Sequence, residues 1–143
     1  MQLTKNFRLS EFTRSATASA NGIDNTPSEQ HVENLRQLCE NVLQPVRDAW
    51  GAPLLISSGY RSPALNAILV RTNGASKTSQ HMQGEAADLP CQDLAEAIRL
   101  AACILDHAVS FDQLIIEQSS KSVWLHVSFA EGRNRKSVFF QTN

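Results

Sequence analysis

The chain has 143 residues, 42% apolar and 19% charged, with a net charge of −1, the balance of a globular protein of one domain over residues 1–143 that can bury a core without disulfide staples. No run of Lys or Arg makes a basic stripe, so nucleic acid is not an expected partner, and no apolar stretch approaches the ~20 residues of a membrane span. Cys39, Cys91 and Cys103 form no CxxC pair and no zinc–thiolate spacing, and read as reduced core residues.

The opening MQLTKNFRLSEFTRS lacks the apolar segment of a secretory signal, which predicts a protein cytoplasmic as synthesised. Residues 1–25 read as irregular, apart from a helical turn at Ser10-Glu11-Phe12, with 15–25 a small polar loop. Thr26-Pro27-Ser28-Glu29 predicts a helix start with Thr26 as N-cap, Pro27 at the first helical position and Glu29 closing a capping box. Val32, Leu35, Leu38, Cys39, Val42 and Val46 then recur at helical spacing. Pro45 is expected to kink or interrupt that helix because it removes a backbone donor. Residues 53–60, PLLISSGY, read as a short buried strand. Ser62-Pro63 opens a helix to about Val70 with Ser62 as N-cap, and 71–80 is loop. Residues 85–89 predict a strand, 92–105 a second long helix, and 111–117 a strand. The alternation over 123–129 predicts another strand, joined to the previous one by a turn at Ser119-Ser120-Lys121-Ser122; 138–141 is a last strand or the tail. Helices before and between antiparallel strands make an α+β fold.

The chemistry begins with SQHMQGEAADLP, residues 79–90, where Asp88 enters an apolar run seven residues after His81. A carboxylate there needs a positive partner. In the 123–129 strand, His126 points away from Val123, Leu125, Val127 and Phe129 and shares its face with Trp124 and Ser128. His81, Asp88 and His126 together offer two imidazoles and one carboxylate, a donor set that suits Zn²⁺ and leaves a fourth tetrahedral position open, as catalytic sites do. By residue type alone the ordinary reading, histidines satisfied by hydrogen bonds, stays open.

The motif Ser79-x-His81-x-x-Gly84-x-Ala86-x-Asp88, followed by Trp124-x-His126 and preceded by Ser58-Gly59-Tyr60-Arg61-Ser62, resembles the zinc D-Ala-D-Ala peptidase family. That family includes zinc D-Ala-D-Ala carboxypeptidases, vancomycin-resistance D,D-dipeptidases and phage L-alanyl-D-glutamate endolysins, with the hedgehog signalling domain as a structural cousin. NFRLSEFTRS and FDQLIIE resemble its small phage-associated branch, and the likeness runs from about residue 7 to 130. The resemblance implies a hedgehog/D-Ala-D-Ala peptidase-like fold in which a small antiparallel sheet with flanking helices carries the metal site. It implies one Zn²⁺ per chain on His81, Asp88 and His126, and a peptidoglycan stem peptide as substrate, cut at bonds involving D-amino acids.

Amide hydrolysis also needs a proton shuttle and a partner for the oxyanion. Many relatives carry the shuttle carboxylate three residues before the last histidine, where this chain has Val123. In the hedgehog-like arrangement the acid ends the preceding strand, and Glu117 fits that place as general base and then general acid; the competing reading is a solvated strand-end glutamate. Arg61 is expected as oxyanion partner or substrate clamp, or as a fold-holding salt bridge. Ser79 is expected to bind a substrate carboxylate or to orient its loop. Trp124, where relatives often have His, is expected to wall the cleft or to pack. Glu85 should face away from Asp88, and His31 and His107 read as ordinary side chains. Two function classes follow. One is a cell-wall metallopeptidase, carboxypeptidase or endopeptidase, of the kind a phage or prophage lysin supplies. The alternative is a metal-stabilised, non-catalytic binding or structural module, kept open by Val123.

Overall fold

The computed structural model describes all 143 residues and has an α+β architecture. Strands β1 (Gln2–Thr4) and β2 (Phe7–Arg8) form an antiparallel ribbon that turns Leu3 and Phe7 inward. Helix α1 (Leu9–Thr13) buries Phe12, and α2 (Ala16–Ala20) is capped by Ser15, whose hydroxyl accepts the Ala18 N–H. The helical turn expected at Ser10-Glu11-Phe12 is α1, whereas the irregular backbone expected for the rest of residues 1–25 is corrected: β1, β2 and α2 are too short to show a periodicity.

Helix α3 (Glu29–Leu38) starts two residues later than expected. Ser28, not Thr26, is the N-cap, and its hydroxyl accepts the His31 N–H. Thr26 instead folds back on Asp24 through both its hydroxyl and its N–H. The helix then passes through a π-helical turn, Cys39–Leu43, into α4 (Gln44–Trp50) without breaking at Pro45. Proline withholds the donor that the Asn41 carbonyl would otherwise receive; the Val109 N–H fills that place at 2.8 Å. Gly51, at φ +76°, ends α4.

Residues 53–60 are extended but are not a strand. They pair with the sheet only around Asp88, whose N–H donates to the Ser58 carbonyl and whose carbonyl accepts the Ser57 N–H. Helix α5 (Pro63–Asn73) has Ser62 as N-cap, as expected, and runs past Val70 to a left-handed Gly74. After a 3₁₀ turn at Gln80–Gln83 come β3 (Ala86–Cys91), α6 (Leu94–His107), β4 (Gln113–Gln118), β5 (Val123–Ser128) and β6 (Ser137–Thr142). The sheet order is β3-β5-β4-β6. The first three strands are antiparallel and β6 adds to β4 in parallel, so the sheet is mixed.

Side chains alternate across a strand, and paired residues share a face. One face therefore carries Ala87, Leu89, Leu114, Ile116, Leu125 and Val127, all buried, with Ala97, Leu100, Ala101 and Ile104 of α6 beside them in the core. The other face carries Asp88, His126, Trp124, Ile115 and Glu117. No helix is long and apolar enough to cross a membrane. The three cysteines are free; Cys39 is buried, and Cys91 and Cys103 are half-buried.

The crossing from β5 to β6 is pinned by Asp112, which is 2% exposed. Its carboxylate accepts the Arg135 N–H at 3.0 Å, Arg135 Nε at 2.8 Å and Nη2 at 2.9 Å, and Gln80 Nε2 at 3.0 Å. The bonds from Arg135 hold this carboxyl at about 2, below the ~3.9 of an unfolded aspartate. A depressed carboxyl contributes stability that is complete above the unfolded pKa and is lost as pH falls through the folded one. Asp112→Asn is expected to cost about 1–2 kcal/mol at neutral pH, the Arg135 side being largely solvent-screened. In urea unfolding, the gap between variant and wild type should close between about pH 5 and pH 2. A gap that stays constant over that range would reject the assignment.

Candidate functional site

Three pieces of chain converge on the open face of the sheet. Asp88 and His126 are direct partners in the β3–β5 ladder, so both project from the same row. His81 comes in from the 3₁₀ turn. Ser79 caps that turn by accepting the His81 N–H at 3.1 Å, and Gly84 closes it at φ +72°. A Cβ at Gly84 would lie 2.5 Å from the His31 carbonyl, so the turn needs glycine for both its dihedral and its packing.

The Ser58-Gly59-Tyr60-Arg61 segment wedges between this turn and α1. A Cβ at Gly59 would meet the Phe12 backbone at 2.7 Å. The Tyr60 N–H donates to the Phe12 carbonyl at 2.7 Å, and the Arg61 N–H to the His81 carbonyl at 3.0 Å. The Gly59 carbonyl lies 2.7 Å from His81 Nδ1. A carbonyl can only accept, so Nδ1 carries the proton and Nε2 faces the site.

His81 Nε2 lies 3.3 Å from Asp88 Oδ1, and His126 Nδ1 lies 3.2 Å from the same oxygen. One ligand atom from each residue falls within 4.8 Å of the others. Burial pushes the His81 imidazole down, against the pull of Asp88, and so favours its neutral form. Burial raises the Asp88 carboxyl, but the charge and hydrogen bonds of the two histidines in their protonated form outweigh it and hold it well below the usual carboxylate range. With Nδ1 committed to Gly59, a neutral His81 turns an Nε2 lone pair toward a carboxylate oxygen. Acceptor facing acceptor at hydrogen-bond distance calls for a positive species between them, either a proton on Nε2 or a divalent cation, and this donor set fits the cation.

The remaining expected residues are placed around this group. Arg61 Nη2 is 3.4 Å from Asp88 Oδ2, and its Nε donates to Ser58 Oγ at 3.1 Å. Burial lowers the Arg61 pKa, and Asp88 and then Glu117 oppose that, which puts both carboxylates within the guanidinium's electrostatic reach. Glu117 pairs with Trp124 across β4 and β5, and Trp124 Nε1 donates to Glu117 Oε2 at 3.0 Å. Asn143 Nδ2 lies 3.4 Å from its other oxygen. Ser79 serves the turn and opens on a polar groove lined also by Gln30, Lys77, Gln80 and Arg133; none of the three converging residues lines it. Glu85, buried just ahead of β3, pairs with Arg133 at 2.9 Å instead of joining the site. His31 stacks on Tyr60, and its Nδ1 has no hydrogen-bond partner.

Asp112 and Gln80 are the residues the sequence reading missed. Gln80 adjoins His81, and its amide bond to Asp112 ties the turn to the head of β4. The signal was present: Asp112 in FDQLIIE heads an apolar run just as Asp88 does.

No curated protein matches the chain. The family model for Peptidase M15 matches residues 5–128, which take in the Ser58–Arg61 segment, the 3₁₀ turn and both site strands. The chain belongs to the peptidase M15 family, a family of metallopeptidases.

Proposed function

We propose that this chain is a zinc-dependent peptidase that hydrolyses peptidoglycan peptide bonds involving D-amino acids, as a D-Ala-D-Ala carboxypeptidase or an endolysin-type endopeptidase. The observation that carries the reading is the convergence of His81 Nε2, Asp88 Oδ1 and His126 Nδ1 on one point of an M15 fold. Ligands held 2.0–2.2 Å from one tetrahedral ion lie about 3.3–3.6 Å apart, and the 3.2 and 3.3 Å separations from Asp88 Oδ1 sit at the short end of that spacing. Three protein ligands are the catalytic pattern.

Bound there, zinc supplies Lewis acidity and lowers the pKa of water to around 7. Glu117 takes the proton of the attacking water and returns it to the leaving amine. Its Oε2 is fixed by Trp124 on the same sheet face as His126, which keeps the carboxylate from swinging into bulk solvent. Arg61 holds the second oxygen of Asp88 through Nη2 and Ser58 through Nε, which leaves Nη1 to meet the scissile carbonyl as charge develops on oxygen. Trp124 walls the cleft beside Glu117. Ser79, with its hydroxyl oxygen occupied by the turn, keeps its O–H for a substrate carboxylate. The wall substrate rests on the resemblance of the SxHxxGxAxD, SGYRS and WxH motifs to the D-Ala-D-Ala peptidases, and a phage-lysin setting on the likeness of NFRLSEFTRS and FDQLIIE to their small phage-associated branch.

The alternative, a metal-stabilised module without turnover, is favoured by Val123 standing where many relatives have the acid. Incubating the zinc-loaded protein with purified peptidoglycan, followed by mass spectrometry of released ends, separates the two. Peptidase activity gives free D-alanine or new stem-peptide ends. Intact peptidoglycan in the presence of stoichiometric zinc would decide for the module.

A further inference from the structure

The last carbonyls of a helix have no partner inside it and must find one elsewhere. At the end of α1, two are met from distant parts of the chain. The Phe12 carbonyl accepts the Tyr60 N–H at 2.7 Å, and the Thr13 carbonyl accepts Asn25 Nδ2 at 2.9 Å. Asn25 does more than close this helix. Its Nδ2 also donates to the Tyr60 carbonyl at 3.0 Å, and its Oδ1 accepts the Ser62 N–H at 2.7 Å. One side-chain amide therefore holds the backbone immediately before and immediately after Arg61. Asn25 is itself aimed by its neighbours. Asp24 Oδ1 accepts both the N–H and the hydroxyl of Thr26, which folds the chain into a turn with residue 25 in its middle.

The demands on Arg61 give this clamp its use. Its N–H is fixed to the His81 carbonyl, Nε to Ser58 and Nη2 to Asp88. A side chain this long points its remaining donor, Nη1, at one place only if the backbone beneath it is still. An asparagine amide offers two donor hydrogens and an acceptor together, which aspartate and alanine do not.

We propose that Asn25 is a positioning residue for Arg61, clamping the backbone on both sides of it so that the guanidinium stands against Asp88 and the substrate carbonyl. This rests on the peptidase reading above.

The test uses the full zinc-loaded chain as wild type, Asn25→Ala, Asn25→Asp, Arg61→Ala and the two double variants. Turnover is the rate at which new ends are released from purified peptidoglycan. Asn25→Ala is expected to lower it about 10-fold at unchanged zinc content, within the range that a small misplacement of a reacting group costs. Asn25→Asp keeps the acceptor for Ser62 but sets a carboxylate against the Tyr60 and Thr13 carbonyls, and should lose at least as much. In the Arg61→Ala background neither change should cost anything further, whereas an amide that only holds the fold would cost the same in both backgrounds. Heteronuclear NMR of the Arg61 Nε–H, identified by its absence in Arg61→Ala, reads the same positioning without turnover; its signal should move in both Asn25 variants. In wild type, which needs no variant to fold, the Asn25 side-chain N–H signals should exchange slowly with water.

Equal losses in the two backgrounds, an Arg61 Nε–H signal that Asn25→Ala leaves in place, or fast exchange of the wild-type Asn25 amide would each overturn the positioning role. Wild-type hydrolysis alongside any of these leaves the peptidase reading standing. A displaced Arg61 signal in a chain that releases no ends upholds the positioning role and rejects the peptidase reading.

Discussion

His81→Ala and His126→Ala are each expected to abolish stoichiometric zinc and, with it, turnover. The reason lies in how little else could replace them. His81 Nδ1 is spent on the Gly59 carbonyl, so Nε2 is the one nitrogen it can offer. Without either imidazole, two donors are left to hold an ion that takes three protein ligands in catalytic sites. Asp88→Ala should weaken zinc binding and also strand Arg61, whose guanidinium loses the carboxylate it faces at 3.4 Å. Metal analysis of each variant, purified without chelator, reads the first effect. Thermal unfolding alongside it shows whether the fold survives. Full zinc occupancy in both histidine variants would remove the ligand assignment.

The same residues show why parts of the site were legible from sequence. The strict alternation of 123–129 put His126 on the face opposite Leu125 and Val127, and the ladder keeps it there. A buried aspartate in an apolar run pointed to a positive partner, and two imidazoles and a guanidinium surround it. The α+β class and the order of the long helices and strands follow from local periodicity in the same way. What was illegible depended on distant backbone. Pro45 does not break its helix because the carbonyl it orphans is met by Val109, far along the chain. Residues 53–60 have strand composition, but one bridge to Asp88 is all the pairing they find. Strand β6 was ambiguous because its apolar residues are exposed, and a parallel edge strand is defined by its partner's register rather than by its own pattern. Ser28 is the cap because Thr26 donates both its N–H and its hydroxyl to Asp24, which holds it in a turn ahead of the helix.

Glu117→Gln distinguishes an enzyme from a metal-stabilised module most directly. Glutamine keeps the size of the side chain, and its carbonyl oxygen can still accept from Trp124 Nε1, the bond now made at 3.0 Å to Oε2. The strand pairing and the cleft wall are therefore preserved, and so are the three ligands, none of which touches Glu117. What the amide cannot do is carry a proton from water to the leaving amine. The variant should hold zinc at wild-type stoichiometry and bind peptide with little change, while turnover falls by about 10²–10⁴, the scale of general acid–base catalysis. Trp124→Phe keeps the wall but deletes the donor to Oε2. A smaller loss of turnover there, at unchanged zinc, would mark Trp124 as a positioning residue for the carboxylate. Glu117→Asp moves the carboxylate back by one methylene, and near-misalignment of a catalytic group is itself costly, so it too should be slow. Undiminished turnover in Glu117→Gln would return Glu117 to an ordinary strand-end acid and leave the proton shuttle to some other group.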